Sequence, residues 1–164
     1  MKVRAIHGLA DVHGIVRLYR EVWKNSLGIV DLLADASLGL VLVNEAGDVA
    51  GYAFVEEDVR RGFAEVVDIA VSGRHRGRGH GRRLLTALQA RYSALKLVAH
   101  SSNRLLRFYR AMGFEEEGRF ENYYSAGRDG VRLAWRRRQA GAAARSGSVA
   151  GPARKPGAKS LQRK

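Results

Sequence analysis

Three glycines at alternate positions, Gly77, Gly79 and Gly81, interleave with Arg76, Arg78, His80 and Arg82. Glycine lets a backbone approach an anion closely and adopt positive φ, and the free N–H groups of a helix start point at that anion. The run therefore reads as a phosphate-binding turn, to which Arg76, Arg78, Arg82 and Arg83 add charge. Upstream stand two acids that could accept a proton, Glu65 and Asp68, and downstream stands Tyr109, whose phenol could give one up. Side-chain direction alternates along a strand, so Glu65 and Asp68 are expected on opposite faces.

The elements on either side give the turn its specificity. Phe63 to Val71 is rich in β-branched residues and reads as a buried strand, while Leu84, Leu85, Leu88, Tyr92 and Leu95 recur at helical spacing through about Leu95. Strand, glycine turn and helix thus follow in order. A dinucleotide fingerprint needs G-x-G-x-x-G and an acid about 20 residues later. The glycines here are spaced differently, and Ser101 stands where the acid is required. Arg-Gly segments that bind nucleic acid usually sit in low-complexity tails, whereas this one is pinned between two periodic elements.

The remaining chain supplies further elements. Val3 to Ile6 reads as a strand, and Leu9, Ile15, Leu18, Tyr19 and Val22 line a helix reaching Trp23, with a second short helix expected over 29–34. Leu38 to Val43 and Val49 to Val55 form strands across the loop 44–48. Lys96 to Ala99 is another strand. A helix starting near Ser102 and Asn103 carries Leu105, Phe108, Tyr109 and Met112 and ends at Gly113. Phe114 to Phe120 and Val131 to Trp135 are the last strands, with 127–130 between them.

Composition divides the 164 residues into a domain over 1–135 and a basic segment over 136–164. That segment holds nine of the 29 Lys and Arg and none of the 16 acids, in a background too poor in large aliphatics to offset the entropy of ordering it. It is expected to be disordered and suits contact with RNA, a ribosome or another polyanion; a merely solubilising extension is equally open. Cysteine is absent, which excludes disulfides, thiolate metal sites and an acyl-cysteine. The five histidines lack the H-E-x-x-H spacing, so no metal is expected. No apolar run has the length of a signal peptide or a membrane span, and a cytoplasmic protein without membrane contact is expected.

Arg76-Gly77-Arg78-Gly79-His80-Gly81 has the form Q/R-x-x-G-x-G/A, and Asn103 to Phe114 has the form N-x-x-x-x-x-Y-x-x-x-G-F. On these two motifs the chain resembles the GNAT acetyltransferase family. The resemblance implies an α/β (α+β) fold, a mixed, mainly antiparallel sheet with helices on both faces. It also implies an enzyme that moves an acetyl group directly from acetyl-CoA to a primary amine. By the resemblance, Ile69, Ala70 and Val71 pair with the pantetheine arm and an amide near Val71 polarises the carbonyl. The backbone of Arg76, Gly77, Arg78, Gly79, His80, Gly81 and Arg82 holds the pyrophosphate, and Asn103 adds a coenzyme contact. Tyr109 is the implied general acid, Glu65 the first choice of base and Asp68 the second.

The block Glu121 to Gly130 resembles the N-Tyr-Tyr and following Asp of the ribosomal-protein type of N-terminal amine acetyltransferase, which implies Tyr123 and Tyr124 as acceptor-groove residues. Val98 stands where those enzymes often carry a Glu, so that base is either missing or replaced by Glu65. A protein or peptide N-terminus is thus the expected acceptor. A lysine or small amine is the alternative, and a catalytically silent CoA- or RNA-binding module is the rival from another class.

Overall fold

The computed structural model describes residues 1–24, 39–101 and 106–138. The expected short helix at 29–34, the helix start at Ser102 and Asn103, and all but the first three residues of the basic segment lie outside them. Within the described residues, β1 (Lys2–Ala5), β2 (Leu40–Val43), β3 (Val49–Asp58), β4 (Phe63–Val71), β5 (Ala94–His100), β6 (Glu115–Ser125) and β7 (Arg128–Arg136) form one sheet. Its order is β1-β2-β3-β4-β5-β7-β6, and every neighbouring pair is antiparallel except β4 and β5.

Strands of alternating Val, Leu and Ala bury both faces, so helices cover both. Helix α1 (Gly8–Trp23) lays Ile15, Leu18 and Tyr19 against Val41, Val43, Tyr52 and Phe54 on one face. On the other, α2 (His80–Arg91) and α3 (Leu106–Ala111) bring Leu84, Leu85, Leu88, Leu106 and Tyr109 onto Leu42, Ala53, Val66 and Leu97. The sheet is therefore mixed and mainly antiparallel with helices on both faces.

Several boundaries differ from the sequence reading: β1 lies one residue earlier, β5 is longer at both ends, and β7 begins at Arg128, inside the connection expected over 127–130. Helix α2 stops at Arg91: Tyr92 turns extended, and Leu95 is fully buried in β5 opposite Ala64. A leucine at helical spacing is equally satisfied by burial in a sheet, so the period alone overextended the helix. Strand β3 runs on to Asp58. Strand β6 continues through Tyr123 and Tyr124 to Ser125, because a wide bulge sets residues 121–124 against Asp129 alone. Asn122, at φ 52°, donates its N–H to Asp129 Oδ1 at 2.8 Å and accepts the Gly127 N–H at 2.6 Å, which fixes that bulge.

Two irregularities in β4 position the candidate site. Phe54 faces Asp68 but Val55 faces Val66, leaving Val67 as the extra residue of a β-bulge. On its other edge β4 pairs with β5 only at Ala64 with Leu95 and Glu65 with Lys96. Beyond Glu65 the parallel strands part, while β5 keeps its pairing with β7 through His100.

Candidate active site

The bulge overturns the expectation for the two acids. Ala64 and Val66 point into the α2 core, and after the extra residue Ile69 and Val71 do so. Glu65 and Asp68 consequently share the α1 face of the sheet rather than lying on opposite faces, because one inserted residue inverts the alternation between them.

Asp68 is 7% exposed and accepts a hydrogen bond from the Tyr52 hydroxyl at 2.8 Å, which in turn accepts from Trp23 Nε1 at 3.3 Å. Burial pushes the Asp68 carboxyl up to about 6, against the pull of the Tyr52 and Trp23 donors. Glu65 is half-buried and its pKa is also raised, by burial first, with Arg132 opposing and the like charge of Glu56 adding to it. Glu56 stands directly across from Glu65 on β3. Tyr123 is close enough to Glu65 that the carboxylate's charge joins burial in raising its phenol.

Tyr109 comes from the opposite face. It is 7% exposed, packed edge-on against Phe108 and Phe114 at centroid distances of 5.2 and 6.0 Å, so it is a core aromatic. It is also near the parted strands: burial, with the charge of Asp68 second, pushes its phenol up to about 12. Asp68 and Tyr109 thus lie within electrostatic reach of each other from two sides of the sheet.

At the end of β4 the Ser72 N–H donates to Ala50 C=O at 2.9 Å. By the two-residue repeat, the backbone groups of Ala70 then face β3, and those of Ile69 and Val71 face the gap toward β5. Of the three residues expected to meet the pantetheine arm, Ile69 offers its C=O and Val71 its N–H, since Arg76 Nε takes the Val71 C=O at 2.9 Å and the Ile69 N–H donates to the Asp68 carboxyl. Ala70 offers neither.

The turn has the expected backbone. Gly77 and Gly79 sit at φ 73° and 77°, and Gly79 is the N-cap of α2. No side chain caps this helix and no acid lies in its first turn; the Arg83 N–H makes the bond back to Gly79 C=O at 3.1 Å. The amides of His80, Gly81 and Arg82 precede that bond and lack intrahelical acceptors. Gly81 faces Phe108 of α3 across an ordinary contact distance. The arginine side chains depart from expectation: Arg76 Nε donates to Val71 C=O at 2.9 Å, and Arg83 reaches Met1 C=O at 2.7 Å. Arg82 lines a groove with Lys2 and Val3, and Arg78 is exposed on the turn itself. Carbonyl acceptors claim Arg76 and Arg83, so the cradle is chiefly backbone. Asn103 lies outside the described residues.

On the acceptor side Tyr124 donates its hydroxyl to Val98 C=O at 3.0 Å and stacks on His100 at 5.5 Å, so its proton is already committed. Tyr123 stands edge-on to Tyr124 at 4.9 Å. Sequence reasoning missed Tyr52, Trp23 and Glu21, which accepts from Ser72 and Gly73. All three act through long-range contacts with no local signature.

A splayed parallel pair, a glycine-rich turn and an uncapped helix start thus lie together, with two acids on one face of the sheet and a tyrosine on the other. Residues 36–116 match the family model described as Acetyltransferase (GNAT) domain. Over those residues the chain carries a GNAT acetyltransferase domain, which together with the acetyltransferase folds it is similar to supports an N-acetyltransferase enzyme. In structure it is similar to the ribosomal-protein-S18-alanine N-acetyltransferase of Escherichia coli, with a TM-score of 0.73 and 20% identity over 85% of this chain and 96% of that one. It is similar to an aminoglycoside 6'-N-acetyltransferase complexed with coenzyme A, with a TM-score of 0.71 and 11% identity over 83% and 97%. The phosphinothricin acetyltransferase of Sinorhizobium meliloti in complex with AcCoA gives a TM-score of 0.67 and 22% identity over 82% and 87%. No curated protein matches the chain by sequence. Among the described residues no helix is long and apolar enough to cross a membrane.

Proposed function

We propose that the chain transfers an acetyl group from acetyl-CoA to a primary amine, with a protein or peptide N-terminus as acceptor. The observation that carries this reading is that Glu65, on the same face as Asp68, stands at the last rung before β4 leaves β5 and within electrostatic reach of Tyr123. Backbone amides at His80 to Arg82 hold the pyrophosphate, and the Ile69 C=O on the gap edge of β4 holds the arm. The Val71 amide stabilises the oxyanion; one backbone donor of this kind contributes about 3 kcal/mol to lowering a barrier.

Glu65 receives the amine's proton, directly or through one water, and Tyr109 returns a proton to the departing thiolate. Asp68 is too enclosed to meet the amine and sets the electrostatics between them. Tyr123 orients the acceptor through its ring and hydroxyl. Tyr124, its proton held by Val98, contributes an acceptor oxygen and a stacking face. The Asn122-Tyr123-Tyr124 block with Asp129, similar to that of N-terminal amine acetyltransferases, supports an N-terminal amine. The acids Glu56 and Glu65, directly opposed on β3 and β4, favour a second reading in which the acceptor is a small polycationic amine. The basic segment 136–164 serves as a polyanion contact apart from catalysis.

Calorimetric titration with acetyl-CoA comes first, since it needs no acceptor, followed by thiol release with peptides, lysine and an aminoglycoside. Saturable one-site binding and turnover with the peptides are expected. Turnover only with the aminoglycoside would leave the second reading, and an absence of binding at millimolar acetyl-CoA would remove both. Glu65→Gln should lose turnover at neutral pH and regain part of it at high pH, where the amine arrives unprotonated. Removal of residues 139–164 should spare turnover and abolish RNA retention; retention in the shortened chain would sink the polyanion contact.

A further inference from the structure

The end of β4 and the start of the coenzyme turn are held by a side chain from α1. Glu21 accepts the Gly73 N–H at 2.8 Å on Oε1 and the Ser72 hydroxyl at 3.1 and 3.2 Å on its two oxygens. These donors, with the nearby charges of Arg76 and Arg74, hold its carboxyl below the usual range. Ser72 is buried, and its own N–H goes to Ala50 of β3. The junction is thus fixed from two directions, by β3 through Ser72 N–H and by α1 through Glu21. On the gap side Arg76 Nε closes onto Val71 C=O at 2.9 Å. Residues 71–73 carry the chain from the strand that meets the arm into the turn that meets the pyrophosphate, with a single 3-10 turn over Gly73–His75 between them.

We propose that Glu21 is a positioning residue for coenzyme binding: by clamping Ser72 and Gly73 it sets the distance and angle between the β4 end and the phosphate-binding helix start. The inference rests on the acetyl-CoA reading above. Its chemistry is specific to the ligand's far half. An arm that stops at the pantetheine meets only the gap edge of β4, whose register β3 already fixes. A ligand that continues into the pyrophosphate must span the junction, and it alone needs the turn held in place. Because Glu21 belongs to α1, the helix packed on the same face as Glu65 and Asp68, the clamp also ties the coenzyme turn to the acceptor side of the sheet.

The test titrates the full chain, Glu21→Ala and Glu21→Gln with two probes, acetyl-CoA and S-acetylpantetheine, which lacks the nucleotide. Loss of charged hydrogen bonds from the clamp should weaken acetyl-CoA about tenfold in Glu21→Ala. S-acetylpantetheine should bind the variants and the parent alike. Glu21→Gln retains an oxygen for the Gly73 N–H and should recover part of the loss. Equal weakening of both probes would mark Glu21 as merely structural, and unchanged acetyl-CoA binding would remove the role; either result overturns the proposal. Failure of the unmodified chain to bind acetyl-CoA would instead overturn the reading on which it rests.

Discussion

The Tyr52 hydroxyl lies 2.8 Å from Asp68 Oδ2 across the β3–β4 ladder, and Tyr52 is fully buried. The carboxyl is thus enclosed yet partnered, and burial wins over the hydrogen bond in raising its pKa. Folded, Asp68 titrates near 6, against the usual 3.8 of an exposed side chain. The unfolded chain therefore loses this proton first. Stability falls as pH rises from 3.8 through 6, and above that window a cost of about 3 kcal/mol is fully present. Asp68→Asn keeps an oxygen for Tyr52 and removes the cost. Urea unfolding should show the variant more stable than the parent at pH 8 and equal to it near pH 4. A less stable variant at pH 8 would contradict a buried, raised carboxyl.

The same pair shows where the sequence was legible. Gly77, Gly79 and the leucines of α2 are local signals, since positive φ and helical repeat are properties of neighbouring residues, and the strand, turn and helix emerged in that order. The bulge at Val67 is defined by its partners Phe54 and Val55 on another strand, so nothing within Phe63–Val71 announces it. Alternation alone therefore misplaced Asp68 relative to Glu65. The strand from Phe114 was read only as far as Phe120 because the strand character of Glu121 to Ser125 comes from Asn122 and Asp129 bridging a bulge. Arg76 and Arg83 were readable as charges, but their carbonyl partners, one of them at Met1, were not.

Tyr109→Phe preserves the ring contacts with Phe108 and Phe114 and deletes only the hydroxyl. Turnover should fall about 100-fold, the low end of general acid contributions, while acetyl-CoA affinity stays nearly unchanged. With its phenol pushed up to about 12, Tyr109 remains protonated through pH 10, so it adds no alkaline limb to the rate profile of the parent. Parent-like turnover in the variant would reduce Tyr109 to a core aromatic.

Asp11, 2% exposed, accepts the His7 N–H at 2.6 Å and Arg4 Nη2 at 2.9 Å, joining β1 to the first turn of α1. Arg4, then the His7 amide, hold its carboxyl below the usual 3.8 against desolvation. Its stabilisation is present above the unfolded pKa and is lost as pH falls through the lower folded one. Asp11→Ala should cost about 2 kcal/mol at pH 7, the loss of charge-assisted hydrogen bonds to an Arg4 that stays partly open to water. Denaturant curves should converge for parent and variant on acidification below pH 4; a gap that persists would assign the loss to packing alone.

Gly130 of β7 lies between Val98 of β5 and Tyr123 of β6. A Cβ there would meet Val98 Cγ1 at 2.8 Å and Tyr123 Cβ and Cγ at 2.9 Å, closer than real Cβ contacts come. Tyr123 sits on the bulged part of β6, where the ladder gives most easily, so Gly130→Ala should move its ring rather than β5. Overpacking of this kind costs about 1 to 3 kcal/mol. The turn at Gly77 and Gly79 is on another element and should be untouched. The KM for the peptide acceptor should therefore rise several-fold, on the order of 1 kcal/mol of lost binding, with acetyl-CoA affinity unchanged. A rise in the acetyl-CoA dissociation constant with no change in acceptor KM would show that Tyr123 does not line the acceptor groove.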